Sequence, residues 1–273
     1  MSHFPQFPRS RHSAAWTVVT GASSGIGLEF SRQLAAKGCN LVMVSNQPAE
    51  LWKCATEIAT LYDVRALPMV LDLTDEDAPA RLLEFMAERG ITPELLINNA
   101  GVFDFKSVGA MTGERLDLYI DLHVRAVTLL SRSVGALMAR NGGGRILNMS
   151  SMSCWMPMPG IAMYSATKAY IRAFSRAYRV EMKDSGVSVT VACPGGIATD
   201  LFGLPRNLQR LGVRLGVLMT PETFVKRALR RTIAGKAQYV NGLLNRVSIV
   251  AVSCLPEWGR VAVKRRLLDR ISK

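Results

Sequence analysis

Ser151, Tyr164 and Lys168 are of the types, and at the spacing, that a proton-transfer site requires. Tyr164 and Lys168 stand four residues apart, so a helix after Gly160 projects both from one face. A phenol titrates near pKa ~10, too high to exchange protons freely at neutral pH. An ammonium beside it favours the phenolate and brings the group into working range. A hydroxyl such as that of Ser151 then holds a substrate oxygen next to the phenol. The same spacing also suits one packed ring and one solvated lysine, so the rest of the chain has to decide.

Residues 14–19 form a short apolar, β-branched run that reads as a buried strand. It leads into Thr20-Gly21-Ala22-Ser23-Ser24-Gly25-Ile26-Gly27, and a helical pattern continues to Gly38. Strand, glycine turn and helix make half of a dinucleotide-binding unit. Gly21 permits the tight turn, while Gly25 and Gly27 let backbone approach pyrophosphate and helix approach sheet. Phosphates then meet the N–H groups at the helix start. Further strands are expected over 39–44, 66–71, 95–97, 145–149 and 187–192, with helices over 49–62, 76–89 and 112–140 and after Gly160. Strands alternating with helices imply a doubly wound parallel sheet, of Rossmann type, covered on both faces.

The strand ends carry the remaining candidates. After the second strand stand Ser45, Asn46 and Gln47, with neither the carboxylate that binds ribose hydroxyls nor the Arg that accepts an extra phosphate. The missing carboxylate tilts the expectation towards NADP over NAD. Asp72 ends the third strand and can meet an adenine edge, with Thr74 or Asp75 as N-cap of the helix over 76–89. Asn98-Asn99-Ala100-Gly101 ends the fourth, where the amides tie down turn backbone or stand behind a ribose. The fifth delivers Ser150 and Ser151 to the carboxyl end of the sheet, where open parallel sheets bind ligands.

Taken together, TGASSGIG at 20–27, Asp72, NNAG at 98–101, Ser151, YSATK at 164–168 and PGGIAT at 194–199 resemble the classical short-chain dehydrogenase/reductase family, over roughly 14–202. The resemblance implies a nicotinamide-dependent interconversion of carbonyl and alcohol. It gives Tyr164 the acid/base role, Ser151 the orientation of the substrate oxygen, and Lys168 the lowering of the phenol pKa and a hold on the nicotinamide ribose. It places the cofactor against Gly21, Ser23, Ser24, Gly25, Ile26, Gly27, Asn46, Asp72, Leu73, Asn99, Ala100, Gly101, Tyr164 and Lys168, with Pro194, Gly195, Ile197 and Thr199 around the nicotinamide. One departure stands out: where the family carries an Asn that continues a proton relay, this chain has His123. Its alternatives are a member of that relay or a packed core histidine.

Composition bounds the partners. The chain has 273 residues, 49% of them apolar, and is long enough for one large core. Cys39, Cys54, Cys154, Cys193 and Cys254 are odd in number with no C-x-x-C pair, which points to a reducing, cytoplasmic setting. His3, His12 and His123 form no ligand cluster, so no catalytic metal is expected. Residues 1–13 read as a disordered arm rather than a signal peptide, and no stretch reaches the ~20 apolar residues of a membrane span. Residues 1–202 hold 19 Lys+Arg against 18 Asp+Glu, whereas 203–273 hold 15 against 3.

The family resemblance implies that the segment after PGGIAT covers the substrate, so residues 203–273 are expected to form a substrate lid and a basic extension of the same domain. Leu204, Leu208, Leu211, Leu215 and Leu218 form one helical stripe, a lid packed on the core or a membrane anchor, with Arg206, Arg210 and Arg214 opposite and Gly212 and Gly216 loosening the helix. The later cations, beside the apolar run 247–255, suit an anionic membrane surface, an acidic carrier protein, a phosphorylated thioester, or a solvated face beside a subunit contact. Three functions result: a ketone or secondary-alcohol oxidoreductase of hydroxysteroid type, a 3-oxoacyl-thioester reductase, and a non-catalytic cofactor-binding sensor. The intact Ser151, Tyr164 and Lys168 argue against the last, and against a nucleic-acid partner. The family resemblance adds a homo-oligomer.

Overall fold

Alternation of apolar side chains builds a two-faced sheet. In successive strands Val19, Leu41, Met43, Leu95, Ile97 and Leu147 point to one face, and Val18, Val42, Val44, Leu96 and Ile146 to the other. Both sets are buried, the pattern of a parallel sheet with helices on both sides. The computed structural model describes residues 14–198, 205–214 and 218–268. The arm at 1–13, Thr199, Leu204, Leu215, Gly216, Arg270 and Lys273 lie outside the described residues.

The strands are β1 (Trp16–Thr20), β2 (Asn40–Ser45), β3 (Ala66–Val70), β4 (Pro93–Asn98), β5 (Gly144–Met149), β6 (Val187–Cys193) and β7 (Gln238–Val240). They form one seven-stranded sheet in the order β3-β2-β1-β4-β5-β6-β7, parallel throughout. The chain order reverses between β1 and β4, the switch point at which doubly wound sheets bind ligands. Pro68 lies in edge strand β3, where its missing N–H costs least.

The helices are α1 (Gly25–Ala35), α2 (Pro48–Tyr62), α3 (Ala78–Ala87), α4 (Gly113–Ile120), α5 (Ala126–Arg140), α6 (Ala162–Glu181), α7 (Arg206–Arg214), α8 (Pro221–Ile233), α9 (Leu243–Ser253) and α10 (Glu257–Val263). Phe30 and Leu34 of α1, Leu51 and Ile58 of α2, and Phe224 and Leu229 of α8 cover one face of the sheet. Leu82 and Met86 of α3 with Leu130, Val134 and Met138 of α5 cover the other. Asn98 Nδ2 donates to Asn148 Oδ1 at 2.8 Å and Ser131 Oγ at 3.1 Å, and Asn148 Nδ2 donates to Ser175 Oγ at 2.9 Å. This buried polar chain ties β4 and β5 to α5 and α6, and breaking one link strands a partner at a cost of about 1–3 kcal/mol.

Two features differ from the sequence reading, and a third was left open by it. The helix expected over 112–140 is interrupted by a π turn at Asp121–Arg125. Neither Thr74 nor Asp75 caps α3: its N-cap is Asp77, while Thr74 donates both N–H and hydroxyl to Asp72 and Asp75 pairs with Arg81 at 3.3 Å. The basic segment contributes α8 and β7 to the core, so Lys226, Arg227 and Arg230 are the solvent face of an amphipathic core helix.

Candidate active site

The fold brings the three opening residues together. β5 ends at Met149, and Ser151 continues it in extended backbone, its hydroxyl accepting from Ser153 N–H at 3.1 Å. α6 starts at Ala162, which puts Tyr164 in its first turn and Lys168 one turn later, both buried. Ser150 Oγ donates to Lys168 O at 2.6 Å and fastens the strand end to that helix. Lys168 Nζ donates to Met149 O at 3.0 Å and stands 5.6 Å from the centroid of the Tyr164 ring. Phe103 packs edge-on against that ring, with centroids 5.0 Å apart. All three residues line a cleft of about 1160 Å³ that runs past the carboxyl ends of β1 to β6, from Gly21 and Asn46 through Asp72 and Asn99 to Pro194.

Burial dominates the electrostatics at the cleft floor. Burial pushes the Tyr164 phenol up to about 12, against a hydrogen bond with Ser151 that lowers it. Burial also brings Lys168 down to about 8, and its Nζ donates to Met149 O while standing beside the ring.

His123 sits on the π turn, fully buried, between Tyr119 and Tyr164. Val102 N–H donates to its Nε2 at 3.0 Å, so Nε2 is the acceptor and the proton is on Nδ1, which donates to Thr167 Oγ1 at 3.0 Å. Thr167 in turn donates its hydroxyl to Tyr164 O at 3.0 Å. Both ring nitrogens are therefore taken within the protein, an arrangement that fits the packed core histidine of the two alternatives. Its role is to position the Gly101–Val102 turn and the start of α6. Burial, then the charges of Lys168 and Arg115, hold its pKa well below the ordinary value. The unfolded chain consequently binds a proton that the folded chain refuses, and stability falls as pH drops below about 6.5. Replacing His123 by Asn should remove up to about 1.4 kcal/mol of that loss per pH unit. Urea unfolding of both proteins between neutral and mildly acid pH checks this, and identical slopes would refute it.

The glycine turn is built as the motif requires. Thr20 Oγ1 accepts from the N–H groups of Asn99 and Ala100, at 2.9 and 3.1 Å, and Asn99 Nδ2 donates back to Thr20 O at 3.0 Å. The amide pair thus divides its work: Asn99 ties the turn and Asn98 enters the buried chain. Residues 15–207 match the sequence pattern of the short chain dehydrogenase family.

The protein belongs to that family. Within it, the chain is 31% identical over 248 residues to the very-long-chain 3-oxoacyl-CoA reductase of Bos taurus, covering 89% of this chain and 76% of the relative. A short-chain dehydrogenase from Sphingobium yanoikuyae in complex with NADPH is 26% identical, with a TM-score of 0.75 over 89% of this chain and 97% of that one. The bulky-bulky ketone specific alcohol dehydrogenase from Comamonas testosteroni is 25% identical, with a TM-score of 0.73 over 89% and 95%. Membership makes this protein an oxidoreductase.

The cleft of this short-chain dehydrogenase has the donors and the space that a dinucleotide needs. The first turn of α1 carries no side-chain cap from Ser24, and Ser24, Gly25 and Ile26 line the cleft. A side-chain carbon on Gly25 would meet nothing within 4 Å. Burial raises the Asp72 carboxyl, but hydrogen bonds from Thr74 and Asn46 outweigh it and keep the group below its usual range. Ser23 Oγ meets Ser45 Oγ at 2.9 Å and donates to Gln47 Oε1 at 2.7 Å, which arrays hydroxyls and amides at the end of β2. Leu73, Ala100, Gly101, Gly195 and Ile197 also line the cleft, whereas Thr199 lies outside the described residues.

Two features escaped the sequence. Asn241, buried just after β7, accepts from Gly195 N–H at 2.6 Å and holds the loop after β6 in place. Its signal was an Asn-Gly pair after a strand too short to be noticed. α7 is also turned the other way from the expected lid. Gln209, Arg210, Val213 and Arg214 line the cleft, while Leu208 and Leu211 are 48% and 50% exposed. Spacing marks one face of a helix but not the side towards which it is turned.

Proposed function

We propose that this dehydrogenase interconverts a ketone and a secondary alcohol on a bulky apolar substrate, with NADP(H) as hydride partner. The observation that carries the proposal is the convergence of Tyr164, Ser151 and Lys168 on the floor of one cleft. Bound nicotinamide supplies the hydride in reduction and takes it in oxidation. Tyr164, protonated at neutral pH, gives its proton to the carbonyl oxygen in reduction. Ser151 orients that oxygen, and Lys168 supplies positive charge behind the phenol. NADP is favoured because no carboxylate stands at Ser45, Asn46 or Gln47. The NADPH-bound relative supports the same choice.

Arg210 and Arg214 favour a second reading, because two guanidinium groups at the cleft suit an anionic substrate tail. The name of the bovine relative gives that tail a form, a 3-oxoacyl thioester of coenzyme A. Nicotinamide absorbance, followed with NADPH and NADH against bulky ketones and a 3-oxoacyl thioester, tests both. Turnover of an apolar ketone, insensitive to salt, supports the first reading. Turnover of the thioester alone, falling as salt rises, supports the second. No turnover with tight cofactor binding would sink both and leave a sensor. With the preferred substrate, reduction should slow above pH 8, approaching about tenfold per pH unit, as the Lys168 ammonium is lost. A rate flat to pH 10 would remove Lys168's charge from the mechanism.

A further inference from the structure

α9 is apolar on two sides yet lies at the surface. Ile249 and Val252 are half-buried on its inner side with Ser248, and Asn245 packs there over Gly195, donating to Asn241 O at 2.8 Å. On its outer side Leu244, Val247 and Val250 are 56%, 59% and 63% exposed, with Ala251 and Cys254 completing the same arc. Helices with apolar residues on opposite sides are normally enclosed. α10 adds Trp258, 76% exposed, with Val261 one turn on. Cations are exposed along the same stretch: Arg246, Lys264, Arg265 and Arg266 are all exposed, and Glu257 is the only exposed acid among the described residues of α9, α10 and the turn after them.

We propose that the outer faces of α9 and α10 seat the protein on an anionic lipid surface. Apolar side chains, an exposed Trp and flanking Lys and Arg are what the boundary between lipid headgroups and acyl chains accommodates. Lying in that boundary suits these elements, since no helix among the described residues is long and apolar enough to cross a membrane. A protein partner of matching acidity would satisfy the cations but leave a broad apolar arc to be matched. A lipid surface satisfies both. Through Asn245 and Asn241 the seat is joined to the Gly195 loop, so the cleft is held beside the lipid in which an apolar substrate dissolves.

The test needs no turnover and so stands apart from the proposed activity. The full chain is sedimented with phosphatidylcholine vesicles, with and without phosphatidylserine, while Trp258 emission is followed. Binding to the serine-containing vesicles with a blue shift that Trp258→Phe abolishes is expected. Val247→Asp with Val250→Asp, or Lys264→Glu with Arg265→Glu and Arg266→Glu, should weaken binding on the order of 10²-fold or more. These positions are exposed, and circular dichroism checks that the variants fold. Absence of binding, equal binding to both vesicles, or binding untouched by either set overturns the proposal. So does an oligomer that Val247→Asp with Val250→Asp dissociates in a protein that ignores vesicles, because the face is then a contact between copies.

Discussion

Tyr164→Phe should lower the turnover number by about 10³-fold while the protein folds and binds cofactor as before. The substitution removes one oxygen and keeps the ring. Its edge-on packing against Phe103 and its place beside His123 depend on the ring alone. The lost hydroxyl takes with it the hydrogen bond to Ser151, which shifts stability by about 1 kcal/mol at most. The proton donor has no substitute within the cleft floor. Ser151 is a hydroxyl of far higher pKa, and Lys168 Nζ is turned to Met149 O. Activity and stability should therefore part company, and single-turnover absorbance beside calorimetry reads them separately. A variant that still turns over at a tenth of the parent rate would place the acid elsewhere. Ser151→Ala should fall in the same direction but less far, because orientation is impaired while the proton remains.

Much of this site was legible because its chemistry sits at strand ends. β-branched runs such as those around Val18 and Val42 announce buried parallel strands, and the residues just after each run must then lie along one edge of the sheet. Gly21, Asp72, Asn99, Ser151 and Pro194 were found in that way, and they line one cleft. β7 was missed because three residues show no period, and the helix before it drew attention by its cations rather than by Phe224 and Leu229, which enter the core. The direction of the Tyr164 shift was missed for a different reason. Spacing along a helix shows that an ammonium and a phenol are neighbours. It does not show how deeply both are buried, and burial raises the phenol and lowers the ammonium. His123 was left with two alternatives because only coordinates reveal that Val102 and Thr167 occupy both its nitrogens.

The largest effect on stability should come from Gly27→Ala. A side-chain carbon there overlaps the carbonyl oxygen of Gly21 and falls 2.6 Å from Asn99 Nδ2. Neither neighbour can step aside. Gly21 is backbone at φ +65°, where its own missing side chain leaves only 3.0 Å to Ala100 Cα, and the Asn99 amide is fastened to Thr20 O. Relief requires α1 to move off the sheet, which places the cost at the upper end of overpacking, about 3 kcal/mol. For a domain of this size that corresponds to a fall of roughly 6–12 °C in Tm. Gly25→Ala is the informative contrast. It meets no atom within 4 Å but keeps φ at +53°, so only about 1–2 kcal/mol of backbone strain is expected. Its methyl group projects into the cleft at the start of α1, where phosphates approach the N–H groups, and cofactor affinity should suffer more than stability. Calorimetry and cofactor titration on the two variants should rank them oppositely. If Gly27→Ala melts no lower than Gly25→Ala, the close approach of helix to sheet is not what makes glycine necessary at 27.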